Sequence, residues 1–237
     1  MRLSAPIYRL KRLARRRARV DKIALHEALD RIAREEGFAG WSLLSSRVPA
    51  NAPSGAMLSR LTDGDLLLLG ARPGHGKTRL GLQLLLDAAR EGRRAVFFTL
   101  EYTERAAIKL IRSLDGDDQG VGGTLEIVTS DDICAAFIIR QLAGSPRGTV
   151  ALIDYLQILD QQRDKPPLSL QMRSLRAFAR ETGIILGFIS QIDRSFDPER
   201  EPMPGVRHIR LPNPVELGVF TKACFLHGGE IRLQDVV

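Results

Sequence analysis

The sequence predicts an α/β protein with a mostly parallel sheet covered by helices, and two observations carry that prediction. From Asp63 onward, short apolar runs alternate with longer stretches of helical periodicity, the pattern of βα units whose strands are buried on both faces. One run, Leu66 to Leu69, leads into Gly70-Ala-Arg-Pro-Gly-His-Gly-Lys77-Thr78 and then into a helical stretch. Strand, glycine-rich turn and helix in that order form a phosphate cradle. Backbone N–H groups wrap the anion, and the helix N-terminus adds its partial positive charge.

Residues 8–36 read as helical, with Leu10, Leu13, Ala14, Ile23, Leu25, Ala28, Leu29 and Ile32 at amphipathic intervals and Gly37 as the stop. Within them begins a compact helical hairpin, Leu25 to Leu44, closed by Phe38 and Trp41. A small N-terminal helical module is therefore expected over residues 1–48. Pro49-Ala-Asn-Ala-Pro-Ser-Gly55 is turn-rich, which places a linker at 49–62 and the βα domain at 63–237. In that domain strands are expected at 66–69, 95–100, 125–128, 150–158 and 184–189. Helices are expected at 77–90, 103–114, 132–142 and 168–181, with Gly92 and Gly183 as stops.

The chain has 237 residues, 44% of them hydrophobic, an ordinary fraction for one globular core with a small appendage. No run approaches the roughly 20 apolar residues that span a bilayer, and no signal-peptide core follows the basic N-terminus. Two cysteines without Cys/His metal spacing fit a reduced, cytoplasmic protein without structural zinc. The net charge of +7 is concentrated at one end: residues 1–22 hold nine Lys or Arg against Asp21, +8, which leaves −1 for the rest. Such an arm, with Arg12, Arg15, Arg16 and Arg17 at its centre, reads as a nucleic-acid contact. A solvated helix face and an organellar targeting segment fit the same composition.

The phosphate cradle assigns nucleotide contacts to Ala71, Arg72, Pro73, Gly74, His75, Gly76, Lys77, Thr78 and Arg79. ATP and Mg²⁺ are the expected ligands. Lys77 neutralises the β- and γ-phosphates, and the Thr78 hydroxyl holds Mg²⁺. The strict motif has glycine where this chain has Ala71. Three further strand ends point to the same place, as ligands bind at the carboxyl edge of such sheets. Ala95-Val-Phe-Phe-Thr-Leu-Glu101 ends in a carboxylate fit to take a proton from the attacking water, though an acid opening the next helix also fits. Val150-Ala-Leu-Ile-Asp154 ends in a second acid, suited to the Mg²⁺ shell. Ile184 to Gln191 ends in a polar pair able to sense the γ-phosphate, or simply to end a strand.

Together Ala71-Arg-Pro-x-x-Gly-Lys-Thr78, Thr99-Leu-Glu101, Ile153-Asp-Tyr-Leu-Gln157, Arg173-Ser-Leu-Arg-Ala-Phe-Ala179 and Ile189-Ser-Gln-Ile-Asp-Arg194 resemble the motor domain of DnaB-type replicative DNA helicases, over roughly residues 58–200. Alanine at position 71 is normal in that family. The resemblance implies a RecA-like P-loop core and ATP hydrolysis coupled to movement on single-stranded DNA. It makes Lys77, Glu101 and Gln191 catalytic, with Glu101 as base, and Thr78 and Asp154 metal-linked. Arg194 and Arg210 become DNA-facing, and a homo-oligomeric ring working with replication proteins is implied.

The departures are specific. Residues 1–48 do not resemble the family's helical collar domain. The arginine that the family reaches into a neighbouring ATP site is absent: one match places Lys222 and Cys224 on the family lysine and arginine, while another makes Ala223 to Leu226 an earlier strand. Three function classes follow: a DNA-binding motor, a RecA-like switch or helicase loader that does not unwind DNA itself, and a nucleotide-binding scaffold. Retention of Glu101 argues against the third.

Overall fold

The computed structural model describes residues 4, 7–47, 57–115, 125–160, 165–210 and 216–236. The chain divides into two compact units, Met1–Ala52 with Gly228–Glu230, and Pro53–His227 with Ile231–Val237.

The first unit is built on three helices, α1 (Ile7–Val20), α2 (Leu25–Glu35) and α3 (Trp41–Arg47). The expected continuous helix over 8–36 is broken at Asp21 to Ala24, where Lys22 adopts φ 51°. Apolar spacing continues across the break because both helices feed one core of Leu10, Ala14, Ala28, Ile32, Ala33 and Leu44. Periodicity reports which side is buried, not whether the axis is continuous. Leu13 and Leu25, expected on the buried face, are exposed. An Asp30 carboxylate oxygen accepts the Trp41 backbone N–H at 2.8 Å, which satisfies an orphan donor at the start of α3. The linker proposed at 49–62 lies mostly outside the described residues.

The second unit carries a seven-stranded sheet in the order β3-β2-β4-β5-β1-β6-β7. The strands are β1 (Leu66–Ala71), β2 (Ala95–Thr99), β3 (Leu125–Val128), β4 (Val150–Asp154), β5 (Ile185–Gln191), β6 (Lys222–His227) and β7 (Glu230–Asp235). The pairs β1–β5, β1–β6, β2–β3, β2–β4 and β4–β5 are all parallel. Every residue of β1, β2 and β4 is buried, as the apolar runs require of a sheet covered on both faces. Connecting helices are α4 (Lys77–Arg90), α5 (Glu104–Asp115), α6 (Ala135–Leu142) and α7 (Leu168–Thr182).

Helix α4 matches the expected 77–90 and packs on β1, β2, β4 and β5. Its approach to β4 needs Gly81, since a Cβ there would lie 2.6 Å from Leu152 Cδ2. Helix α6 starts three residues later than expected, and its Ala135 N–H donates to buried Gln171 Oε1 on α7 at 2.9 Å. The strand expected over 150–158 stops at Asp154 and gives way to a 3₁₀ turn, Leu156–Asp160. Leu156, Ile158 and Leu159 remain fully buried in the same core, so the apolar run continues although the strand does not.

Candidate active site

Phosphate-binding geometry starts at Ala71, the last residue of β1, which pairs with Gln191 on β5 and Leu226 on β6. The loop then turns through Gly74 (φ 77°) and Gly76 (φ 84°). A Cβ at either would meet nothing within 4 Å, so backbone conformation and not crowding selects glycine there. Gly76 is the N-cap of α4, no acidic residue lies in the first turn, and the helix N-terminus is left for an anion. Lys77 is half-buried, Thr78 is buried, and Arg79 is exposed.

The sheet carries the carboxylates to the same edge. Thr99, at the end of β2, pairs with Asp154, at the end of β4. The Glu101 backbone N–H donates to the Thr99 hydroxyl at 3.1 Å, and the Glu101 side chain is exposed. Asp154 is fully buried, and neither of its carboxylate oxygens has a hydrogen-bond partner among the described residues. Burial pushes its carboxyl up to about 7; the charge of Glu101 adds to the rise, while the Thr78 side chain and Lys77 oppose it. An acid held dry and unpaired is costly unless something arrives to pair it. The set fits Mg²⁺, a hard cation that takes one or two protein oxygens and keeps phosphate oxygens and waters for the rest.

Glu101, Asp154, Lys77 and Thr78 are therefore brought together, and Gln191 stands at the end of the strand beside the loop. Tyr102 joins them unannounced by the motif pattern: burial, then the charges of Asp154 and Glu101, push its phenol up. Only its place next to Glu101 could have signalled it. Thr62 serves a turn, its N–H and hydroxyl donating to Asp65 Oδ2 at 2.8 and 3.0 Å, and Arg105 is exposed on α5.

A second cluster joins the phosphate loop to the segment after β5. Arg72 donates to the carbonyls of Arg194, at 3.3 Å, and Phe196, and its guanidinium lies 5.4 Å from the Phe196 ring centre. His75 stacks on His227 with centroids 5.5 Å apart, and Phe196 meets His227 and His208 edge-on at 5.1 Å each. Sequence spacing gave no sign of this contact, since Phe196, His208 and His227 come from three separate segments. Arg194 and Arg210 line a cleft of about 360 Å³ with Pro73, Gln191, Ile192 and Asp193.

On the N-terminal arm, Arg15 and Arg16 are exposed, as are Arg19 and Lys22. Arg17 is half-buried and paired with Glu35. The Arg12 side chain lies outside the described residues.

Lys222 and Cys224 fall on β6, where Lys222 pairs in register with Leu67 and Cys224 with Leu69. Cys224 is fully buried, and burial pushes its thiol up to about 12. It is a core residue of a strand parallel to β1.

No protein-family model matches the chain. Over 186 residues, 65% of the chain, it is 28% identical to the replicative DNA helicase DnaB of Synechocystis sp., of which it spans 21%. In three dimensions it resembles the ATPase domain of G40P, with TM-score 0.60 and 19% identity over 79% of this chain and 80% of that one. It also resembles a DnaB-like replicative helicase described with its interactions with primase, with TM-score 0.57 and 16% identity over 92% of this chain and 64% of that one. The structural matches establish the RecA-like P-loop fold. With the sequence match, they support a divergent DnaB-type RecA-like domain. Among the described residues no helix is long and apolar enough to cross a membrane.

Proposed function

We propose that the protein hydrolyses ATP as a DnaB-like, helicase-type ATPase and binds single-stranded DNA. The observation that carries this reading is Asp154, buried with both carboxylate oxygens unpaired beside Lys77 and Thr78. Mg²⁺, held by Asp154 and Thr78, supplies positive charge to the β- and γ-phosphate oxygens when bound. Lys77 adds a second positive charge there. Glu101 accepts the proton of the attacking water, and Gln191 senses whether the γ-phosphate is present. The exposed arginines of α1 hold single-stranded DNA through its phosphates. A homo-oligomeric ring and contacts with replication proteins follow by analogy with the relatives.

The test is ATP turnover with and without single-stranded DNA, comparing the wild type with Lys77→Ala and with a variant lacking residues 1–22. Turnover stimulated by DNA, lost in Lys77→Ala and less stimulated without the arm, is the expected result. Turnover indifferent to DNA at low salt would end the motor reading.

A second reading is favoured by the position of Cys224, buried in its own sheet where one sequence match put an arginine reaching a neighbour. In that reading the protein is an ATP-driven switch or helicase loader that leaves unwinding to another protein. Strand displacement by the purified protein alone excludes it.

A further inference from the structure

The phosphate loop is short of packing. Pro73, Gly74, His75 and Gly76 are all exposed, and the two glycines, both left-handed, stand in open space. Such a segment has many accessible conformations, and a triphosphate needs one of them. Ordering the loop only when the ligand arrives costs affinity, and a tether that orders it beforehand lowers that cost.

Two side chains of the loop reach parts of the same domain that are held independently. Arg72, at its start, donates to the Arg194 and Phe196 carbonyls. His75, between the two glycines, lays its ring on that of His227, with centroids 5.5 Å apart and planes 15° from parallel. The turn itself orients that ring: the His75 N–H donates to the Arg72 carbonyl at 3.2 Å, and its Nδ1 stands 3.2 Å from the Pro73 carbonyl.

His227 is a firm base for the contact. It ends β6, and its neighbour Leu226 pairs in register with Ala71, the residue from which the phosphate loop departs. Phe196, only 1% exposed, meets the His227 ring edge-on at 5.1 Å and meets buried His208 in the same way. His208 is fixed in turn, its Nδ1 accepting the Gly205 N–H at 3.0 Å. Strand register and aromatic packing thus hold His227 without help from a nucleotide.

Resting on the ATPase reading above, we infer that His75 is a positioning residue: its ring, stacked on His227, tethers the phosphate loop in the form that receives the triphosphate. The imidazole serves His227 and not the phosphates. Ring contact carries the tether, so another flat ring can replace the imidazole and a methyl group cannot. Its effect falls on binding, because a loop that spends less time in the competent form has a proportionally weaker apparent affinity, whereas the chemistry after binding is the same.

The test measures the dissociation constant of methylanthraniloyl-ADP, and the KM and kcat of ATP turnover, for His75→Ala, His75→Phe, His227→Ala and the double alanine variant. In His75→Ala the dissociation constant and KM are expected to rise about three- to tenfold, the range an aromatic pair supplies. The change in kcat is less than about twofold. His75→Phe stays within about twofold of wild type on every count. Adding His75→Ala to His227→Ala changes nothing further, since the ring it would have held is already gone. Because His75 is exposed, the melting temperature of the nucleotide-free protein moves by less than about 2 °C in either His75 variant.

Wild-type affinity in His75→Ala overturns the proposal. So does a phenylalanine variant as weak as the alanine one, a loss confined to kcat, or a His75→Ala effect that persists in full beside His227→Ala. Wild-type protein without turnover sinks the ATPase reading itself, and the dissociation constants then still decide whether the tether exists.

Discussion

The two units of this chain use apolar burial on different scales. In the larger, β1, β2 and β4 are buried throughout, and Phe97, Phe98, Phe188, Phe196, Phe220 and Phe225 are almost fully covered. In the smaller, three of the six buried apolar residues among those described are alanines, Ala14, Ala28 and Ala33. A large, closely packed interior resists relaxation, and such an interior can keep Asp154 dry. The small helical core has no such reserve. It arranges surface charge and depends on Leu10, Ile32 and Leu44 to do so.

Four experiments probe that difference, from the largest expected effect to the smallest. Glu101→Gln removes the proposed proton acceptor without touching either core. Turnover is expected to fall by about 10² to 10⁴-fold with ATP analogue binding retained, and an unchanged rate in a steady-state assay would remove Glu101 from the chemistry.

Asp154→Asn tests the stored cost directly. The folded-state pKa, about 7, lies above the ordinary 3.8, so as pH rises the unfolded chain loses this proton first. Ionisation thus destabilises the folded protein progressively between about pH 4 and pH 7. Without nucleotide or Mg²⁺, the variant is expected to be more stable than wild type at pH 8, by up to roughly 4 kcal/mol. That advantage vanishes near pH 4. Equal unfolding midpoints at pH 8, read by calorimetry, would show that the carboxylate is not held at a cost.

Ile32→Ala addresses the other unit, with an expected loss of about 2–4 kcal/mol from the helical core. Trp41 is the only tryptophan and packs on that core, so its fluorescence reports the module's unfolding. The signal should melt earlier while DNA-independent ATP turnover is kept; loss of both together would show that the two cores are not energetically separate. The smallest effect is expected of Arg15→Gln, Arg16→Gln and Arg19→Gln combined. The salt dependence of single-stranded DNA binding should flatten by a log–log slope of about 2. An unchanged slope would leave α1 as a solvated face.

Much of the site was legible because its residues sit where strand ends must be. Lys77 and Thr78 follow a strand and open a helix, while Glu101, Asp154 and Gln191 close or follow apolar runs. Parallel pairing then brings them to one edge without further information. Tyr102 and the Arg72–Phe196–His227 cluster were not legible, because aromatic and histidine contacts across segments leave no periodic trace. The break between α1 and α2 was missed because the same core draws on both helices. The end of β4 was missed because the apolar run continues into a 3₁₀ turn.

The sequence alone determined the parallel α/β fold, the phosphate loop and the acids facing it, since alternation of apolar runs and local turn chemistry decide these within a few residues. Only the tertiary structure decided that Cys224 is buried beside β1 and that Asp154 has no partner. It also decided that Arg194 and Arg210 share a cleft with Pro73 and Gln191. Each of these depends on which distant segments the sheet order makes neighbours, and that order is set by the packing of the whole core.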